Sequence, residues 1–300
     1  MDHAEVGRGD QAAPSAVAEE RGGRRGQAAA PRQRWDAGRG PATGQEGGGR
    51  PGGMAHGRGP GRHPQGPGAA PADPAGRRRV PPVALSWSGG KDSTLALARL
   101  AADPRVRVAG LLATFNETNG RISMHGVRRE LIAAQARSLG LPLWEVPLPQ
   151  PCSNAEYERR MARTLAELAR RGIGAVAFGD LYLADVRAYR EQQMARAGLR
   201  PLFPLWGEDP AALALGAVAA GLRAVVVCVD PRHLGPEWLG REYDRQFLAD
   251  LPRGVDPCGE RGEFHTFVYD GPGFGRPVAF RRGRRVWRDG FWYLDLVPAG

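Results

Sequence analysis

The apolar run Val83-Ala84-Leu85-Ser86-Trp87 passes directly into Ser88-Gly89-Gly90-Lys91-Asp92-Ser93, and then into the helix-compatible run Thr94-Leu95-Ala96-Leu97-Ala98-Arg99-Leu100. A buried strand, a glycine turn and a helix start in that order restrict this part of the chain to an α/β arrangement. Lys91 is the one lysine among 42 Lys and Arg side chains. An ammonium is a compact point charge and a guanidinium a broad planar fork, so a lone lysine in an arginine-rich chain marks a place where the fork does not serve. A tight loop closing on phosphate oxygens is such a place.

The loop carries the same message. Gly89 and Gly90 have no Cβ, which lets the backbone take positive φ and approach an anion closely. The leading N–H groups of the following helix and its positive dipole end point at whatever fills the loop, and Ser88 and Ser93 add hydroxyls. The spacing is not G-x-x-x-x-G-K-[ST], so γ-phosphate transfer of the P-loop type is not implied.

Those six residues resemble the signature of the PP-loop ATP pyrophosphatases, also called adenine nucleotide alpha hydrolases. Further segments are similar to the diphthine-ammonia ligase branch: Met124-His125-Gly126-Val127-Arg128, Phe178-Gly179-Asp180-Leu181, Asp185-Val186-Arg187, Pro201 to Trp206, and Asp256 to Thr266. The resemblance covers about residues 82 to 297. It departs from the family at Arg261, where Asn is usual. It implies cleavage of ATP between the α and β phosphates: a carboxylate is adenylated, pyrophosphate leaves, and ammonia displaces AMP. The family's acceptor, diphthine on elongation factor 2, belongs to archaea and eukaryotes, whereas an arginine-biased chain reads as GC-rich and bacterial. The acceptor is therefore left open as a carboxylate on a protein side chain or a small molecule. Two other readings stay beside it: a PP-loop tRNA-modifying enzyme, and a non-catalytic adenine-nucleotide-binding module. No thiolation cysteine pair or RNA-binding appendage supports the first of these.

Composition divides the chain. Residues 1–80 hold 19 Gly, 9 Pro and 13 Arg against 8 acidic residues, without apolar periodicity. They read as a disordered tail, or as a product of a misassigned start with translation beginning at Met54 or near Val80. No secretory signal and no membrane span is expected. The formal charge of +10 splits into +5 from the tail and +5 from the body, where 29 basic face 24 acidic residues. No basic-aromatic interleaving is identified in the body, and a specific nucleic-acid partner is not expected. Cys152, Cys228 and Cys258 lack C-x-x-C spacing and suit a reducing cytoplasm. Oligomeric state is not legible.

Alternating strands and helices predict a doubly wound parallel sheet over 81–200, Rossmann-like and of PP-loop type, with a smaller α+β lobe over 201–300. Expected strands are 106–114, 143–146, 175–178, 223–229, 264–269, 278–282 and 286–296, with Asp289-Gly290 as a hairpin turn. Expected helices are 128–139, one opened by a Ser153/Glu156 capping box, 209–220 and 241–251.

The candidate ATP site is Ser88, Gly89, Gly90, Lys91, Asp92, Ser93, Gly179 and Asp180, since ligands of such sheets lie at the carboxyl ends of the strands. Asp92 and Asp180 are the candidates for Mg²⁺, through water, because Mg²⁺ takes few protein carboxylates; Asp92 serves equally well as a helix-start charge. The resemblance makes Glu263 and His265 catalytic candidates along with Lys91 and Asp92. It makes His125, Arg128, Asp185, Arg187, Glu260 and Glu263 candidates for holding the acceptor. By residue pattern alone, Glu263 and His265 read as the wet face of a strand, and Asp185 with Arg187 as an ion pair or plain helix surface.

Overall fold

The fold is described from a computed structural model for residues 81–299; the expected tail at 1–80 lies outside the described residues. Strand β1 (Val83–Ser86) leads through the glycine loop into helix α1 (Lys91–Ala101). Next come β2 (Val108–Asn116), a two-residue β3 (Arg121–Ile122), α2 (Arg129–Ser138), β4 (Leu143–Leu148) and α3 (Asn154–Arg170). β5 (Ala175–Ala177), α4 (Ala184–Arg196) and β6 (Arg200–Leu202) complete the first half. β1 pairs in parallel with β2 on one side and β5 on the other; β4 and β6 extend the sheet in parallel, and β3 pairs antiparallel with β2. The chain builds outward on the β2 side before crossing to β5, so the strand order reverses between β1 and β5. A crevice forms at such a reversal, beyond the carboxyl ends of the two strands.

Alternation along β1 sends its side chains to two covered faces. Val83 and Leu85 pack with Leu97 of α1 and Ile132 of α2, while Ala84 packs with Leu165 of α3 and Met194 of α4. Both faces are therefore apolar, as a parallel sheet between helix layers requires. At the start of α3 the Ser153 hydroxyl accepts the Glu156 N–H at 3.2 Å. The Glu156 carboxylate turns to Arg159 and Arg160 instead of back to Ser153, so half of the expected capping box forms.

The second half holds α5 (Pro210–Ala219), β7 (Arg223–Val229), α6 (Arg245–Asp250), β8 (Phe264–Asp270), β9 (Phe280–Arg288) and β10 (Phe291–Pro298). Its antiparallel sheet runs β8-β7-β10-β9. β7, buried from Ala224 to Val229, shares one apolar cluster with β1 and α1.

Several expected boundaries move. Pro147 does not end β4, because an edge strand tolerates the missing N–H. The helix expected over 241–251 shortens to α6: Asp244 caps it through the Phe247 N–H at 2.7 Å, and Tyr243 instead donates its N–H to Ala224 of β7. β9 is one strand across 283–285, joining what the pattern gives as two strands, and the chain reverses at Asp289-Gly290 with φ of 54° and 87°.

Among the described residues, no helix is long and apolar enough to cross a membrane, and no cysteine is in a disulfide.

Candidate active site

The glycine loop sits at the strand-order reversal. Gly89 has φ 79°, and a Cβ there would lie 2.5 Å from Ile132 Cδ1; a Cβ on Gly90 would lie 2.7 Å from His125 Cε1. Both glycines are thus demanded by close approach, and Gly89 also by conformation. Ser88 Oγ accepts the Gly90 N–H at 3.3 Å, and Ser93 Oγ donates to Gly90 O at 2.9 Å. Of the leading N–H groups of α1, Gly90 is taken by Ser88 and Lys91 donates to Thr266 Oγ1 at 3.1 Å. Asp92 and Ser93 N–H remain for a ligand. A Cβ on Gly179 would come within 3.2 Å of Ser93 N, so glycine at the end of β5 keeps that donor uncovered.

β8 latches the loop from the other half of the chain. Val268 N–H donates to Gly89 O at 2.9 Å. Gln135, fully buried on α2, donates to Gly89 O at 2.9 Å and Val268 O at 2.6 Å, and accepts Trp87 Nε1–H at 2.9 Å. Gln135, Thr266 and Trp87 are site residues that the pattern of the sequence did not mark. Gln135 reads only as a polar position on an otherwise apolar helix face, a signal visible in retrospect.

Lys91 is 2% exposed. Its ammonium donates to Asp92 Oδ2 at 2.9 Å and to the Cys258 carbonyl, with the Phe264 and Tyr243 rings 5.2 and 5.8 Å away. Two of its three N–H bonds are therefore used. Burial opposes the charge, but Asp92 and the other acidic neighbours outweigh it and hold the lysine above its usual pKa. Burial lifts the carboxyls of Asp92 and Asp180 above their ordinary values, with Lys91 and Arg190 opposing. Asp92 Oδ1 and Asp180 Oδ2 are buried without a hydrogen-bond partner. The counter-charge of Asp180, Arg190 Nε, stands off at 3.8 Å.

The turn over 256–263 closes the crevice. Glu260 Oε1 accepts the Leu181 N–H at 2.8 Å, and burial, with Asp92 and Asp180 nearby, pushes its carboxyl up to about 7. Glu263 differs from expectation. It is 1% exposed, and its two oxygens accept the backbone N–H groups of Asp256 (3.1 Å) and Arg261 (3.0 Å). Each oxygen holds a backbone N–H, so Glu263 braces the turn. Arg261 contributes its N–H to that brace and lies 6.0 Å over the Tyr182 ring.

His125 and His265 stack with centroids 4.4 Å apart. The Thr266 carbonyl can only accept, so His125 donates through Nδ1 at 3.1 Å, which sets its tautomer. Burial takes His125 down to about 4; burial, His125 and Lys91 take His265 well below its usual value. Both rings are neutral near pH 7. Nε2 of His265 is buried without a partner.

Of three further acceptor candidates, Arg128, Asp185 and Arg187, the two arginines make contacts of their own. Arg128 grips Asp295 of β10 with two bonds of 3.0 and 2.7 Å, and Arg121 joins at 2.8 Å, so these arginines clamp the 121–128 turn to the second sheet. Asp185 is exposed in the first turn of α4 and makes no pair with Arg187. Arg187 bonds Glu191 at 2.8 Å and stacks on Trp206 and Phe203 at 4.6 and 4.9 Å, because i,i+4 is the spacing at which helix side chains meet.

A doubly wound sheet with a glycine-lysine loop at its strand reversal, latched by a second antiparallel sheet, defines a PP-loop type of α/β protein. Residues 82–201 match the diphthamide synthase N-terminal domain and residues 209–297 the diphthamide synthase C-terminal domain, and the chain belongs to that family. It is similar to proteins named diphthine--ammonia ligase. The Danio rerio protein is 28% identical over 214 residues, 64% of this chain and 83% of that one. The Bos taurus protein is 26% identical over 223 residues, 65% and 81%. The Schizosaccharomyces pombe protein is 27% identical over 211 residues, 64% of this chain and 34% of a longer one.

Proposed function

We propose that this chain is an ATP-dependent amide ligase that adenylates a carboxylate and passes it to ammonia, as the relatives' names describe for diphthine. The observation that carries the reading is the meeting of three segments, Ser88–Ser93, Gly179–Asp180 and Cys258–Thr266, at the reversal between β1 and β5. The first supplies phosphate donors in the N–H groups of Asp92 and Ser93 and the third N–H of Lys91, and Gly179 of the second keeps the Ser93 N–H clear. These donors stabilise the charge that develops on departing pyrophosphate. Asp92 Oδ1 and Asp180 Oδ2, buried without a hydrogen-bond partner, fit a hard divalent cation such as Mg²⁺ that keeps its remaining waters. Among the described residues no group of three or more His, Cys, Asp or Glu is set to hold a metal. Neutral His265, whose buried Nε2 has no hydrogen-bond partner, is the hydrogen-bonding group we assign to the ammonia adduct. Glu260 holds the turn against Leu181 and faces the same crevice.

In this reading 81–200 holds ATP and 201–300 closes over it. A cytoplasmic setting, with ATP and ammonia as small partners, goes with this reading. The test supplies ATP, Mg²⁺, ¹⁵N-ammonium and candidate acceptors, elongation factor 2 carrying diphthine first. AMP and pyrophosphate formed one-to-one with ¹⁵N-amide are expected. Release of ADP, or AMP formed without need of an acceptor, overturns the proposal.

A further inference from the structure

The chain segment Phe280 to Trp292 alternates basic and aromatic residues, an interleaving that the sequence reading did not identify. The structure places it as the outer strand β9 and the start of β10. β9 reads Phe-Arg-Arg-Gly-Arg-Arg-Val-Trp-Arg, with five arginines and no acid in nine residues. It pairs with β10 alone, and residues 281–287 are exposed without interruption on both faces. Little of that charge is neutralised. Arg282 reaches Glu242 at 2.7 Å, Arg288 lies 3.7 Å from Asp289, and Arg285 donates to the Leu239 carbonyl at 3.4 Å. Arg281 and Arg284 have no ion pair or hydrogen bond among the described residues. Trp287 is 52% exposed, set edge-on against Trp292 at 5.3 Å.

Arginine alone would be a common way to blunt a sheet edge. An exposed Val286-Trp287 pair defeats that purpose, so edge protection does not account for the strand. A second copy is a poor occupant, because five arginines would meet five arginines across the new edge. An added peptide strand needs a flat ladder, and the register of β9 against β10 slips between Leu294 and Leu296. A flexible polyanion with flat rings meets neither objection. Guanidinium forks grip phosphate oxygens and an exposed indole stacks a base.

We propose that β9 binds single-stranded nucleic acid without sequence preference by letting the chain wrap the sheet edge, Arg281 and Arg284 holding phosphates and Trp287, which the register with Trp292 places on the face opposite Arg281, stacking a base. This surface is independent of the ligase reading. The test follows anisotropy of a labelled oligouridine of about 16 nucleotides with the full chain, between about 50 and 200 mM salt. The double variant Arg281→Ala/Arg284→Ala is expected to make the slope of log K against log salt shallower by about 1.4, and the Lys/Lys pair to restore it. Trp287→Ala is expected to weaken binding by roughly 5- to 150-fold with the slope unchanged. Removing Arg170 and Arg171 from the exposed end of α3 subtracts equal charge elsewhere and is expected to leave the slope alone. Melting curves of the variants are expected to match wild type, because the substituted residues are exposed. An equal loss of slope from the Arg170/Arg171 pair, wild-type affinity in Trp287→Ala, or tighter binding of polyglutamate than of oligouridine overturns the proposal.

Discussion

Glu260 shows how one residue reports on the whole crevice. Its carboxyl is pushed from 4.5 to about 7, first by burial and then by the charges of Asp92 and Asp180, against the pull of the Leu181 N–H and Lys91. A carboxyl raised in the folded state holds its proton more tightly there than in the unfolded chain. Its contribution is therefore full below about 4.5, and is lost as pH rises through about 7. The loss approaches about 3 kcal/mol at one unit per 1.36 kcal/mol. Glu260→Gln is expected to flatten the fall in Tm between about pH 5 and 8, leaving the variant the more stable form at the alkaline end. Parallel melting curves for the two proteins across that range would remove Glu260 from this role. Its neighbour Glu263 lies in the same turn with both oxygens on backbone amides. Sequence pattern distinguishes the two acids poorly, because the difference lies in which N–H groups the fold brings to each.

Among elements, α2 and β8 hold the loop in shape. Gln135 gives both amide hydrogens to carbonyls of the loop and β8, and its oxygen to Trp87, all without access to water. Gln135→Leu keeps the volume and strands the Trp87 N–H and the Val268 carbonyl. Each buried orphan costs about 1–3 kcal/mol, so the variant is expected to lose about 3 kcal/mol in denaturant unfolding and to shift Trp87 emission. A loss below about 1 kcal/mol would mean that water enters and the latch is not rigid. The periodicity of α2, the apolar run of β7 and the Asp289-Gly290 turn were readable, because each is set by local pattern or turn chemistry. The short α6 and the continuity of β9 were not. The first depends on Tyr243 pairing with β7, the second on a bulge opposite Asp295, and both are decided by distant strands.

At the scale of the molecule, the two halves meet through the loop itself. The glycine loop, Lys91, Gly179 and Asp180 were legible because a strand, a turn and a helix declare themselves within a few residues. The clamp of Arg121 and Arg128 on Asp295 spans 174 and 167 residues and has no local signature. The same holds for the bond from Lys91 N–H to Thr266 Oγ1, across 175 residues. If the halves worked separately, a change on β8 would spare nucleotide binding. The geometry argues otherwise: Thr266 fixes the first N–H of α1, and its carbonyl fixes His125 against Gly90. Thr266→Val keeps the shape and the carbonyl but removes the acceptor of that N–H. One hydrogen bond of about 1.4 kcal/mol is a factor of ten in an equilibrium constant. The variant is expected to bind ATP about tenfold more weakly by calorimetric titration and to lose a similar increment of stability. Lowered Tm with unchanged ATP affinity would show that β8 merely packs against the loop, and the latch would then have no part in holding phosphate.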